Sequence, residues 1–170
     1  AKRVESPRVF ARNEPVLIVA RESAALLRAF SDLPRADRIV TGAEEVPIGR
    51  YTRQILDRAT PALGADFRAR VEAKIVSREL NVKQVLAKVS LGEAQAGIVY
   101  RTDVAPSDGV TVLTIPPEWN VVAEYSIAAV TACAHPRLAR AWVDLVLSDP
   151  GQDLLRQAGF LAPDASPAGP

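Results

Sequence analysis

The sequence predicts an α/β fold whose mixed, largely parallel sheet is flanked by helices. Three observations predict it. The run PVLIVA, Pro15 to Ala20, is continuously apolar and rich in β-branched residues, as expected of a strand buried on both faces. Further short runs of this kind, DRIVTG and AGIVY, alternate with stretches of helical periodicity. Between them fall Pro, Gly and Asn residues, which stop one element and start the next.

With 170 residues the chain can form one domain with a real core, or two small lobes sharing strands. Apolar residues make up 48% and charged ones 24%, the balance of a globular chain rather than a disordered one. The net charge of +1, with Arg and Lys interleaved among acids as in Arg53 and Asp57 at helical spacing, argues against a nucleic-acid surface. One cysteine, Cys133, excludes an internal disulfide, and with one histidine the usual His/Cys metal sets cannot be assembled. No apolar run approaches the roughly 18 residues of a membrane span, so no membrane insertion is expected. The start AKRVESPRVF lacks the apolar stretch of a signal peptide, and its abrupt passage into a strand-like segment could also mean that upstream sequence has been removed.

After the first strand, ESAALLRAFSDLP reads as a helix with Leu26, Leu27 and Phe30 on one side, closed by Pro34. DRIVTG supplies the next strand. A helix then starts at Pro47, where a missing NH and a fixed φ suit the first turn. Its apolar stripe is Ile48, Tyr51, Ile55, Ala59 and Ala62, and it ends among the breakers Pro61 to Gly64. FRARVEAKIVSREL reads as a helix passing into a short strand at Lys74 to Ser77. In NVKQVLAKVSLGEAQAGIVY, Asn81 is an N-cap with Gln84 three residues on, as in a capping box. The stripe Val82, Val85, Leu86, Val89 follows, Gly92 stops the helix, and AGIVY forms a buried strand ending at Tyr100. VTVLTIPPE is a strand ended by Pro116 and Pro117, and NVVAEYSIAAVTAC a long strand. Two helices finish the chain: one presents Leu138, Trp142, Leu145 and Val146, and the other opens at Ser148 or Asp149 and closes on Gly159. The tail from 163 to 170 reads as disordered.

In such a sheet, ligands sit at strand C-termini and helix N-termini. The starts of the Pro47 and Val82 helices and the strand end at Tyr100 are three such places. Helix starts carry unpaired NH groups and about half a positive charge, so two of them and a tyrosine hydroxyl could hold an anion without Lys or Arg. The plainer alternative is that Asn81 is only a cap and Tyr100 a buried tyrosine with a satisfied hydroxyl. Catalysis is not expected. Cys133 and His135 share a strand face without a third orienting group, the adjacent Glu44 and Glu45 diverge and favour the helix dipole, and no GxGxxG or GxxxxGK[ST] run occurs.

The runs EEVPIGRYTRQIL, NVKQVLAKVSLGEAQAGIVYRTD and HPRLARAWVDLVLSDPGQDLLRQAGFL resemble the molybdate-binding proteins of ABC transporters, in the type II periplasmic substrate-binding class. The resemblance covers nearly the whole chain. It implies a periplasmic-binding-protein-like lobe plus the remnant of a second, a periplasmic or extracytoplasmic location, a transporter permease as partner, and no cofactor beyond the ligand, molybdate or tungstate. In that family two helix-start NH groups and a tyrosine hydroxyl bind the tetrahedral dianion, and the matching positions are Ile48, Val82 and Tyr100. Gly49 could add a further NH. Ile48 is larger than the small residue common at its place, which would alter pocket width.

The resemblance also implies a division of the chain. Pro15 to Ala20 and Val121 to Val130 would be strands crossing between lobes, with residues 21–119 a complete second lobe and 1–20 with 120–162 an incomplete first one. Family members begin with a segment carrying two serines that form the opposite wall of the site, and this chain lacks it. The C-terminal helices should then expose apolar surface around Trp142 and Leu145, favouring a homodimer or pairing with another chain. The alternative is the oxyanion-sensing effector domain of a transcription regulator, which would need a DNA-binding segment upstream of Val9.

Overall fold

The computed structural model describes residues 3–105 and 109–164. They divide into two compact units, one of residues up to Asn13 and from Val122 onward, the other Glu14–Val121. The expected division was at 20/21 and 119/120. The difference lies in the PVLIVA strand, which pairs on both edges within the larger unit.

That unit is built on a five-stranded sheet. Its strands are β2 (Pro15–Ala20), β3 (Ile39–Gly42), β4 (Ile75–Glu79), β5 (Ala96–Tyr100) and β6 (Val110–Thr114), in the spatial order β4-β3-β5-β2-β6. β3 runs parallel to β4 and β5, while β2 runs antiparallel to β5 and β6. The sheet is mixed as expected, but its parallel part is only half of the ladder. Burial on both faces does not require parallel neighbours. Leu17 and Val19 of β2 enter one core with Phe30, Ile55 and Phe67, and Val16, Ile18 and Ala20 enter a second with Val85 and Val89. Helices covering both faces bury the strand whichever way its neighbours run.

The first core is closed by α1 (Pro47–Leu63) and α2 (Phe67–Glu72), and the second by α3 (Val82–Ser90). α1 continues through Pro61, and its buried stripe is Ile48, Thr52, Ile55, Leu56 and Ala59, with Tyr51 half-buried. Ala62 is exposed, contrary to expectation, because it lies in the last turn, beyond the sheet contact. β4 starts one residue later than expected and reaches Glu79. Arg53 pairs with Glu44 instead of Asp57, and Asp57 pairs with Arg68.

The expected helix over Glu22 to Pro34 is replaced by two 3-10 turns, Arg21–Ser23 and Phe30–Arg35. Asp32 explains the break: its carboxylate accepts the amides of Arg28 and Ala29 at 3.0 and 3.2 Å, holding the backbone out of a continuous helical ladder. Leu27, Phe30 and Leu33 still reach the core, so apolar spacing alone did not separate the two conformations.

The smaller unit contains β1 (Arg8–Asn13) and β7 (Ala123–Ile127), antiparallel with a bulge between Val9 and Ala11, and α4 (Pro136–Leu147) and α5 (Asp149–Gln157). β7 is shorter than the strand expected from Asn120 to Cys133; beyond Ile127 there remains only a bridge between Val4 and Val130. In the tail, residues 165–170 lie outside the described residues.

Candidate functional site

The first turn of α1 is pressed onto the end of β3. A Cβ at Gly49 would lie 1.9 Å from the carbonyl oxygen of Ala43 and 2.6 Å from that of Gly42, so only glycine allows this approach. At Gly42 a Cβ would meet Ile48 Cγ2 at 2.5 Å and the Gly49 amide at 2.9 Å. The glycine of VPIG therefore sets a close helix entry.

That entry leaves one amide over. Pro47 has no NH, while Gly49 and Arg50 donate to the Val46 carbonyl at 3.1 and 3.3 Å. The Gly49 amide is thus engaged within the turn, which corrects the expectation that it serves a ligand. Ile48 is only 2% exposed, and its amide has no acceptor among the described residues. A buried NH without a partner is costly, so this one calls for an acceptor from outside the turn.

At α3, the Asn81 carboxamide oxygen accepts the Gln84 amide at 3.0 Å. The cap satisfies the third NH of the turn, and the amides of Val82 and Lys83 have no acceptor among the described residues. Val82, Tyr51 and Tyr100 all pack against the core cluster that contains Ile48. The Tyr51 ring, one turn beyond Ile48, meets the Tyr100 ring edge to face with centroids 6.3 Å apart. Ile48 thus belongs to, and Val82 and Tyr100 pack against, one core cluster, each from a separate element.

Residues that the sequence reading overlooked fix the Tyr100 end. Pro15 stands opposite Tyr100 in the ladder, and the next residue, Arg101, donates its amide to the Glu14 carbonyl at 3.0 Å and its Nε to the Glu14 carboxylate at 2.7 Å. Buried Asn120 donates to the Pro15 carbonyl at 3.1 Å and accepts the Val121 amide at 2.8 Å. Only Glu14 adjoins PVLIVA in the sequence, and residue spacing does not mark Arg101 or Asn120. Asp103 accepts the Tyr100 amide at 3.3 Å, and burial pushes its carboxyl up from the ordinary value, opposed by that hydrogen bond and by Lys83.

Two cavities do not have Ile48, Val82 or Tyr100 in their linings. One of about 30 Å³ lies among Thr41, Gly42, Gly49, Thr52 and Arg78. One of about 420 Å³ lies in the smaller unit among Phe10, Ile127, Trp142, Leu145 and Leu154. Among the described residues no group of three or more His, Cys, Asp or Glu side chains could hold a metal ion.

Residues 1–161 match the family described as bacterial extracellular solute-binding protein. The molybdate-binding protein ModA of Mycobacterium tuberculosis, like that of Mycobacterium bovis, is 36% identical over 159 residues, which are 92% of this chain and 57% of the relative. The chain thus spans little more than half the length of these curated relatives. Among solved structures, the periplasmic molybdate-binding protein of Azotobacter vinelandii superposes with a TM-score of 0.71 at 14% identity, over 94% of this chain and 69% of that one. The sulfate-binding protein SubI of Mycobacterium tuberculosis gives 0.76 at 17% identity, over 95% and 63%. At these identities the superpositions establish a shared fold.

Proposed function

The chain belongs to the bacterial extracellular solute-binding protein family, and from that premise we propose that it binds a tetrahedral oxyanion, molybdate or tungstate, for an ABC importer. The Ile48 amide carries this reading. It is buried, lacks an acceptor among the described residues, and stands at the positive end of a 17-residue helix, whose partial charge favours an anion. Val82, half-buried at the start of the nine-residue α3, supplies a second amide without an acceptor among the described residues, and the Tyr100 hydroxyl is the third donor. Neutral donors suit a dianion because a fixed cation would attract any carboxylate, whereas spacing among NH groups selects by ligand size. The 36% identity to the molybdate-binding proteins supports the choice of ligand.

The site is a binding site without catalytic groups. Its setting is extracytoplasmic and its macromolecular partner a transporter permease. No helix among the described residues is long and apolar enough to cross a membrane. The apolar face of α4 and α5 takes a second copy of the chain. Amide NMR of the labelled chain with millimolar molybdate tests the ligand reading. The Ile48, Val82 and Lys83 resonances should move while that of Gln84, held by Asn81, stays. Unmoved Ile48 and Val82 amides would rule the site out.

A further inference from the structure

Asp103 closes the 3-10 turn Arg101–Asp103 that follows Tyr100 at the end of β5. Its Oδ2 accepts the Tyr100 amide at 3.3 Å, so the carboxylate is tied to the strand end that carries a proposed ligand donor. From α3 it faces Lys83, the neighbour of Val82, whose charge favours the ionised form. Arg101, on the same turn, is committed to Glu14 at the start of β2. Asp103 is therefore half-buried on a turn that packs against α3, and among the described residues Lys83 is the cation that acts on it.

This placement has a consequence for an arriving dianion. An anion at the Val82 amide and the Tyr100 hydroxyl would put new negative charge beside a carboxylate that is already partly removed from water. Like charges in such a setting favour protonation of the weaker acid. The Lys83 cation would be shared between the two and would hold Asp103 ionised less well.

Resting on the oxyanion reading above, we propose that Asp103 couples anion binding at this site to the uptake of one proton from solvent. The proton goes to Oδ1, because Oδ2 is engaged by the Tyr100 amide, and no bond other than this O–H forms. Binding is then strongest where Asp103 is already protonated in the free protein. As pH rises through the window between its free and ligand-bound proton affinities, affinity falls by up to about tenfold per pH unit. Above that window the profile levels off.

Sulfate is the probe, since it stays a dianion from about pH 4 to about pH 8, the range in which carboxylates with ordinary or raised values titrate. The 170-residue chain is titrated with sulfate at several pH values by NMR, following the Ile48 and Val82 amides and the Asp103 carboxyl carbon. The Asp103 titration midpoint should move up with sulfate present, and wild-type affinity should fall across that window. Asp103→Asn should give a pH-independent affinity. The same pH profile in the variant as in the wild type, or an unmoved Asp103 midpoint while the amides report binding, overturns the coupling alone. No amide response to sulfate or molybdate at any pH overturns the oxyanion reading and the coupling together.

Discussion

Arg101 and Glu14, separated by 87 positions, meet through backbone and side chain at once. The Arg101 amide reaches the Glu14 carbonyl at 3.0 Å, and Nε and Nη2 reach one carboxylate oxygen at 2.7 and 2.6 Å. The Glu14 side chain is only 8% exposed, whereas that of Arg101 is 36% exposed. Burial makes the carboxylate dependent on its partner, and exposure of the guanidinium moderates the gain. Glu14→Gln should therefore cost about 1 to 2 kcal/mol. Urea unfolding reads this directly, and an unchanged midpoint would show that the pair does not anchor the strand end.

Gly49→Ala should be far more damaging than its one added methyl suggests. The Cβ would meet the backbone oxygen of Ala43, and the atoms nearest to it belong to carbonyl groups that cannot rotate aside. A cost of about 3 kcal/mol or more is expected from overpacking against backbone. Gly109 offers a contrast, because a Cβ there meets open space and only the φ of +70° opposes substitution. Gly109→Ala should cost about 1 kcal/mol. Comparable thermal unfolding of the two variants would mean that α1 can lift off β3 at little cost.

Elements whose boundaries are set by local chemistry were legible in the sequence. Pro47, the Asn81 cap and Gly92 mark the ends of α1 and α3 because capping is decided within four or five residues. The break at Phe30 was not legible, since it depends on which way the Asp32 carboxylate turns. Nor could PVLIVA reveal that its neighbours run antiparallel, for both faces are buried in either case. At the candidate site, Ile48, Val82 and Tyr100 came from family resemblance. Glu14, Asn120 and Asp103 matter through partners remote in sequence or through a turn that follows a strand, and residue spacing carries no signal of either kind.

The smaller unit should associate through its helices. Trp142 is 62% exposed, Leu138 70% and Leu154 68%, and neither α4 nor α5 has a buried residue. Helices of 12 and 9 residues are marginal without a packed face, so a covering surface would stabilise them. Trp142→Glu with Leu145→Glu should shift the chain toward monomer in sedimentation velocity. A wild-type chain that sediments as a monomer at high concentration would exclude the second copy.

Acid should weaken the larger unit in a way that two carboxylates explain. Lys88 and then Ser77 hold Glu79 below its ordinary 4.5, and the Arg28 amide leads the contacts that hold Asp32 below its ordinary 3.8. A depressed carboxyl stabilises the fold above its unfolded value, and that contribution is lost as pH falls through the folded value. Asp103 has the opposite sign. Burial raises it above 3.8, so its contribution is present below that value and is lost as pH rises through the folded one. Glu79→Gln should flatten the acid limb of the stability curve, and Asp103→Asn should raise stability near neutrality. Urea midpoints across pH check both, and an unaltered acid limb in Glu79→Gln would refute the assignment to Glu79.

The 170-residue chain should bind molybdate weakly by itself. Three donors to a charged ligand, the Ile48 and Val82 amides and the Tyr100 hydroxyl, are worth roughly 1.5 to 3 kcal/mol each, or about 5 to 9 kcal/mol gross. Association costs about 4 to 15 kcal/mol. The favourable end leaves only about 5 kcal/mol, which corresponds to a constant of a few tenths of a millimolar. A wall that supplied more donors and excluded water from these amides would tighten binding, whether carried on the same polypeptide or on a partner. In such a completed site, Tyr100→Phe should cost about 1.5 to 3 kcal/mol through the loss of one donor to a charged group. Isothermal titration of the purified chain decides between these regimes. A micromolar or tighter constant from a monomer would show that the donors of the larger unit suffice without a second wall.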